Sequence, residues 1–413
     1  MLRPRGALGA AAGSLLVIVP AVVFVDTVFF TAVTPLLPHY VHILGLSKTE
    51  AGLLVAAYPA GTLLGAIPGG LVASQFGVRR AVIAGLTLMS ASTLVFGFAS
   101  SAVLLDAARF VQGLGGACTW AGGLAWLAGA VPADKRARAL GIAFGAAVVG
   151  ALFGPVIGAI ASRLGTGPTF AGATVAAASL IVASLTARAP GGRETQVLSK
   201  VLVALRDRSL LGGMWLTFLA GLAFGVVDVL APLRLSHLGA SAVVIGAAFL
   251  GAAALEAGLA PLAGRLADLR GRALPAQLCV ASAIVVSVLL PFVVPDAALV
   301  ALLVVGLPAF GVLFVPAAAM VSDGARRQDL HQGLGFGLSN LAWAGGQVIA
   351  AAGSGALAQA TADVVPYGVL AAVCAATLLM ITPRRRRLTN GSFGSLSSRE
   401  DRTHCDSNAP TSC

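Results

Sequence analysis

The chain has 413 residues, of which 58% are hydrophobic and only 10% charged, and it carries a formal net charge of +11. A soluble domain has about 25% charged residues, so this composition excludes a chain folded mainly in water and makes lipid the solvent for most of it. The basic excess invites a nucleic-acid reading, which the distribution of the cations argues against.

A bilayer core takes ~20 mostly apolar residues per helix, and such runs recur twelve times, with boundaries good to about four residues. They cover residues 14 to 37, 50 to 73, 81 to 99, 103 to 130, 139 to 161 and 169 to 187. After a polar interruption they resume at 211 to 233, 242 to 262, 275 to 294, 298 to 320, 333 to 358 and 365 to 382. The first run is too long for a signal-peptide core of ~7 to 15 residues and ends in Pro35 and Pro38 without a small-residue cleavage site, so it is expected to remain. With the amino terminus inside, Arg79, Arg80, Lys135, Arg136, Arg138, Arg188, Arg193, Lys200, Arg206, Arg208, Arg265, Arg270, Arg272, Arg326, Arg327 and Arg384 to Arg387 share one side. Only Lys48, Arg163 and Arg234 fall on the other. This asymmetry is the positive-inside bias: it predicts both termini in the cytoplasm and contact with anionic lipid head groups, with no nucleic-acid partner.

In the first span, Asp26 stands among Phe24, Val25, Thr27 and Val28. A carboxylate there is costly when charged and is expected to exchange a proton unless a cation or hydroxyl neighbours satisfy it. The second span offers Tyr58 as a cavity residue and runs into Gly70, Gly77, Arg79 and Arg80. In the fourth span, Arg109, Gln112, Gly113, Gly116 and Trp120 fall at i, i+3, i+4, i+7 and i+11, which puts a cation, an amide and two small residues on one face. An intramembrane Arg needs a partner, either Asp106 one turn away or an acid on another helix. The fifth span carries Gly141, Gly150, Gly154, Pro155 and Gly158: small residues for close helix packing and a proline that kinks the helix.

The polar interruption, residues 189 to 207, separates six spans from six. Val197, Leu198, Val201, Leu202 and Leu205 at helical spacing suggest either an amphipathic surface helix or a solvated linker. Beyond it, Asp228 in the seventh span and Glu256 in the eighth are further acids, and Asn340, Trp343 and Gln347 in the eleventh are candidate cavity residues. Shifting the sequence by 194 residues superposes Pro38 on Pro232, Ser47 on Ser241, Gly52 on Gly246, Gly70 on Gly264 and Gly77 on Gly271. The halves are parallel repeats, and a site between two similar bundles can face either side of the membrane as one rocks against the other. The expected divisions are residues 1–188, a linker at 189–210, residues 211–382 and a disordered tail at 383–413. Cys118, Cys279 and Cys374 in the spans and Cys405 and Cys413 in the tail are expected to be free thiols.

The run Gly264, Arg265, Leu266, Ala267, Asp268, Leu269, Arg270, Gly271, Arg272 resembles the inner-loop motif GxLADxxGR of the major facilitator superfamily, and RxxQGxG at Arg109 resembles its fourth-span motif. The fifth-span series matches GxxxxxxxxGxxxGPxxG of its twelve-span drug:proton antiporters. The resemblance covers nearly the whole chain before the tail. It implies an all-α membrane protein with the major facilitator fold, twelve transmembrane helices in two six-helix bundles. It further implies an inner-membrane exporter, acting as a monomer, that exchanges a small hydrophobic or cationic compound for protons without a cofactor or metal. Asp26, Arg109, Glu256 and Asp228 would couple protons; Gln112, Tyr58, Trp120, Asn340, Trp343 and Gln347 would line the cavity. Gly70, Gly77, Arg79, Gly264, Asp268, Gly271 and Arg272 would gate the inner side by latching the bundles together. The first-half copy departs from the motif, with Ser74 and Gln75 at its acidic and basic positions, and the second-half tract lacks the Gly-Pro pair, with Gln347 following Gly346.

Competing readings are export of a sugar-like or other polar metabolite, a non-transporting receptor, and an intramembrane enzyme. Against the last, Asp228 has no preceding GxG, no HExxH occurs, and His39 and His42 fall in an expected outer loop without further ligands. No GxxxxGK[ST] is present to bind ATP.

Overall fold

The computed structural model describes residues 5–131, 136–187, 203–293, 296–330 and 332–382. Among these residues there is no strand. In lipid every backbone polar group must be satisfied within the chain, and helices do this without partners.

Twelve membrane-crossing units follow in order. The first joins Arg5–Thr31, a 3-10 turn at Thr34–Leu36 and Leu37–Leu44; next come Lys48–Phe76, Val78–Phe98, Ala102–Ala130, Arg136–Leu164 and Thr166–Thr186. The seventh is Arg208–His237, then Ala242–Arg270, Ala273–Leu289, a broken tenth made of Asp296–Gly306, Pro308–Gly311 and Phe314–Arg327, then Gln332–Ala360 and Val364–Ile381. Ten of the units are long and apolar enough to cross a membrane by length and composition. The fourth, which carries Asp106 and Arg109, and the ninth, of 17 residues, complete the set. A helix of that length still rises ~25 Å.

Neighbour relations repeat between the halves. The second span packs on the fourth, the first on the fifth and the third on the sixth; the eighth packs on the tenth, the seventh on the eleventh and the ninth on the twelfth. The halves meet along two matching seams, second against eleventh and fifth against eighth. The repeated residues explain these seams. Ser47 and Ser241 cap the second and eighth spans by accepting from Glu50 N and Val244 N, which fixes where each helix starts. One turn later, a Cβ on Gly52 would lie 3.2 Å from Gly355 Cα, and one on Gly246 would lie 2.9 Å from the Pro155 carbonyl oxygen. Only glycine allows backbones that close.

Several expectations need correction. His39 and His42 lie on the helical stretch Leu37–Leu44, not in a loop. The segment from Gly264 to Arg270 forms the last turns of the eighth helix, and only Gly271, at φ 81°, breaks it; Gly77, at φ 94°, does the same for the second. Helix continues there because the sequence contains no breaker before the glycine, and both positive φ values suit a residue without Cβ. The tenth span, read as continuous, is interrupted around Gly306, Pro308 and Gly311, since Pro308 supplies no backbone N–H. The seventh helix starts three residues before position 211, capped by Asp207, whose carboxylate accepts from Ser209 N and Leu210 N. Arg327 donates to both oxygens of Asp207 at 3.0 and 2.9 Å. The guanidinium of Arg327 first, and the Leu210 N–H next, hold the Asp207 carboxyl well below the ordinary carboxylate range. Cys118, Cys279 and Cys374 are free thiols. The amphipathic stretch at 197–202, the Arg384 to Arg387 run, Cys405 and Cys413 lie outside the described residues.

Candidate functional site

The first, second and fourth spans bring Asp26, Tyr58, Arg109 and Trp120 into one buried cluster. Asp26 is 2% exposed. The Tyr58 hydroxyl donates to its Oδ1 at 2.7 Å and the Trp120 indole N–H to its Oδ2 at 2.6 Å, so each carboxylate oxygen has one neutral donor. Space for this pairing comes from Gly116, where a Cβ would sit 2.7 Å from the Tyr58 hydroxyl and 2.8 Å from Asp26 Oδ1. Thus the spacing that aligned Gly116 with Arg109 on one face has a steric purpose.

Arg109, also 2% exposed, places its guanidinium 4.9 Å from the centre of the Tyr58 ring and 5.9 Å from that of Phe30. Its terminal nitrogens donate to the Phe29 and Phe30 carbonyls at 3.0 and 3.1 Å and to Gln112 Oε1 at 2.6 Å. Gln112 passes its amide N–H to Thr93 at 2.7 Å. Asp106 makes none of the ion pairs found among the described residues. The cation therefore faces into the bundle, its charge spread over carbonyl dipoles and aromatic faces, and its Nε has no hydrogen-bond partner there. Gln112, expected to line the cavity, gives its amide oxygen to Arg109 and its N–H to Thr93.

Phe30 joins the halves. Its ring stacks edge-on against Trp343 of the eleventh span, with centroids 5.2 Å apart, and lies 5.0 Å from the Tyr58 ring. Asn340 is half-buried one turn before Trp343. Fully buried Gln347 donates to Asp228 Oδ2 at 3.2 Å, while its own Oε1 has no partner. Asp228 is thus half-buried and bound to the eleventh span. A second aromatic link runs from Trp120 through Phe144 to Phe336, at 5.8 and 5.0 Å. Glu256 stands apart from this network: its carboxylate lies against Gly311 in the break of the tenth span, in space that a Cβ would fill.

The fifth-span glycines act on the first span. A Cβ on Gly150 would lie 2.6 Å from the Phe24 carbonyl oxygen, one on Gly154 would overlap Thr31, and one on Gly158 would sit 2.6 Å from Pro35. Gly141 has nothing within 4 Å. The series sets the position of the helix that carries Asp26.

Of the residues expected to gate the inner side, Arg79 and Arg272 do not link the halves, whereas Phe144 and Phe336 touch across them near that end. Arg79 donates to the Leu185 carbonyl, and Arg272 pairs with Asp323 and donates to the Ala319 carbonyl at 3.0 Å; these contacts stay within one half. Asp268 is exposed, Gly70 has nothing within 4 Å, and Gly264 meets only Val315, at 3.9 Å. At the opposite end the halves are joined: Lys48 pairs with Asp363, and its backbone N–H donates to Gln359 at 3.1 Å. Sequence reasoning missed Phe30, Thr93, Lys48 and Asp363 as members of this machinery. The signal for the last two was their rarity, since Lys48 is one of three cations on its side.

The family model described as Major Facilitator Superfamily matches residues 21–351. The synaptic vesicular amine transporter of Mus musculus is 35% identical over 135 residues, 32% of this chain and 26% of that protein. Multidrug resistance protein 2 of Bacillus subtilis is 26% identical over 152 residues, 37% and 38% of the two chains. The match spans only 26% and 38% of the lengths of these curated relatives. The fold of a D-xylose-proton symporter superposes with a TM-score of 0.71 at 16% identity, covering 90% of this chain and 98% of that one.

Proposed function

Because the chain belongs to the Major Facilitator Superfamily, we propose that it is a secondary transporter that exports a small hydrophobic or cationic compound in exchange for protons. The observation that carries this reading is the Asp26 carboxylate, buried at membrane depth with two neutral donors and, among the described residues, no ion pair. Tyr58 and Trp120 can donate to the charged carboxylate, and the Tyr58 hydroxyl can equally accept from a protonated one. A group balanced in this way takes up and releases a proton as water gains or loses access to it.

The aromatic surface formed by Phe30, Tyr58 and Trp343, with Asp228 beyond it, suits a flat apolar body bearing a cation. Such a compound competes with the proton for the negative charge. The amine carried in the name of the mouse relative and the drugs in that of the bacterial one agree with this chemistry. Each half, the first six spans and the six that begin at Arg208, moves as a six-helix bundle. We place the chain in the inner cell membrane with the Arg-rich end and both termini in the cytoplasm. In that orientation the Lys48–Asp363 pair faces outward and the Phe144–Phe336 contact lies towards the inner end. The site is complete within one chain, which supports a monomer.

The test is counterflow in proteoliposomes loaded with a pH dye, with ethidium as the probe cation. Ethidium movement should drive proton movement in the opposite direction, and a protonophore should abolish uphill accumulation. Ethidium flux that ignores an imposed pH gradient overturns proton exchange.

A further inference from the structure

A groove of about 210 Å³ opens near the Arg-rich end between the seventh, ninth, tenth and twelfth spans, lined by Gly212, Trp215, Arg272, Ala276, Met320 and Ile381 among others. It is separate from the Asp26 cluster, and its surroundings identify the solvent it faces. Leu211, Trp215, Leu278, Leu379 and Met380 around it are all exposed large apolar residues; on a membrane-spanning chain such a face is covered by lipid.

Depth and charge narrow the occupant. Gly212 lies four residues inside Arg208 and Met320 seven residues inside Arg327, so at 1.5 Å per residue the groove sits about 6 to 10 Å beneath the helix ends. There a phospholipid changes from head group to acyl chain. The wall is apolar apart from Arg272. Arg272 and Arg326 share the single carboxylate of Asp323, which leaves one positive charge in excess, and Arg270 beside them is exposed. In the sequence, Arg384 to Arg387 follow Ile381 by only three residues. The Trp215 indole is turned to Thr377, to which it donates at 3.1 Å, so its ring forms a fixed wall.

We infer that this groove is a binding site for one anionic phospholipid, with an acyl chain between Trp215, Ala276 and Met320 and the head-group phosphate at Arg272. Basic pockets between spans at this depth suit such head groups. The inference stands independently of the transport reading, because it concerns a different face of the molecule and is read by binding alone.

The full chain, purified in detergent and exposed to an equal mixture of phosphatidylglycerol and phosphatidylcholine with identical acyl chains, is examined by native mass spectrometry. One tightly held phosphatidylglycerol is expected, preferred about fivefold, the effect of one cation near the surface. Arg272→Gln should remove the preference and Ala276→Trp the bound lipid, whereas Val175→Trp, exposed on the distant sixth span, should bind as wild type. If Ala276→Trp fails to insert, Gly212→Leu serves instead, since its Cβ meets only the flexible end of Met320. Equal retention of the two lipids, or undiminished retention with the groove filled, overturns the assignment. So does phosphatidylglycerol binding that appears only after residues 383–413 are removed, which would make the tail the occupant.

Discussion

Lys48 and Asp363 form the only ion pair among the described residues that joins the first six spans to the last six; the pairs of Asp323 with Arg272 and Arg326 and of Asp207 with Arg327 all lie in the second half or at its entrance. Its partners are about one-third and one-quarter exposed. Such a pair contributes ~0.2–1 kcal/mol. Neutralising Lys48 with Gln should therefore move the balance between closed and open forms of this end by up to about fivefold. Spin-label distances across the second and eleventh spans would report it, and the double exchange Lys48→Asp with Asp363→Lys should restore the wild-type distribution. An unchanged distribution in Lys48→Gln would show that the glycine seam alone closes this end.

Asp26→Asn should insert normally and bind ethidium weakly, yet release no protons when ethidium is driven across proteoliposomes. The amide preserves the shape of the cluster and removes the exchangeable charge. Coupling retained at the wild-type ratio would move the proton site to Asp228 or Glu256.

Replacing Arg109 separates charge from geometry. Its two terminal nitrogens serve three acceptors on two helices, which a lysine ammonium cannot span in the same fork. Arg109→Lys should retain a minor fraction of transport, and Arg109→Ala none. Full activity of the alanine variant in the counterflow assay would remove Arg109 from the mechanism.

Gly113→Ala addresses the packing that places Tyr58. A Cβ at this position would overlap the Tyr58 carbonyl and lie 2.9 Å from Thr62 N; overpacking of this sort costs about 1–3 kcal/mol. The variant should unfold at lower temperature in detergent and couple protons poorly, since moving the second span lengthens the Tyr58–Asp26 hydrogen bond.

Asp207 allows a prediction with a definite sign. Its native carboxyl titrates below the ordinary value of 3.8, so the stability it contributes is present above that value and is lost as pH falls through the lower native one. Asp207→Asn should lower the melting temperature by a constant amount above pH ~4 and by less in stronger acid. An asparagine cap keeps part of the contribution, while Asp207→Ala should cost about 1 kcal/mol or more. A difference that instead grows on acidification would assign the effect to another group.

The fold was largely legible because a bilayer demands long apolar runs and the charges between them alternate by side. The repeat offset located Ser47, Gly52 and Gly77 with their counterparts before any packing was known. Helix ends were harder to read: polar residues from Gly264 to Arg270 look like a loop, yet nothing in them stops a helix emerging from the membrane. The broken tenth span was hidden by its uniform hydropathy, although Gly306, Pro308 and Gly311 were the available signal. Asp26, Tyr58, Arg109 and Trp120 stood out as polar or amphipathic residues in apolar runs, but sequence could not say that Tyr58 and Trp120 divide the oxygens of one acid between them. Nor could it place Phe30, one aromatic among several, between Arg109 and Trp343.

Gly52 and Gly246 put bare backbone against bare backbone where the two halves touch. Side chains that interlock must change rotamers before their helices slide, and each change adds friction; these two places have little to disengage. If the halves rock as proposed, these would be a pair of plain bearings at equivalent points of a duplicated frame. A larger residue at either position would turn a bearing into a ratchet, leaving a protein that folds, inserts and binds but changes its facing slowly.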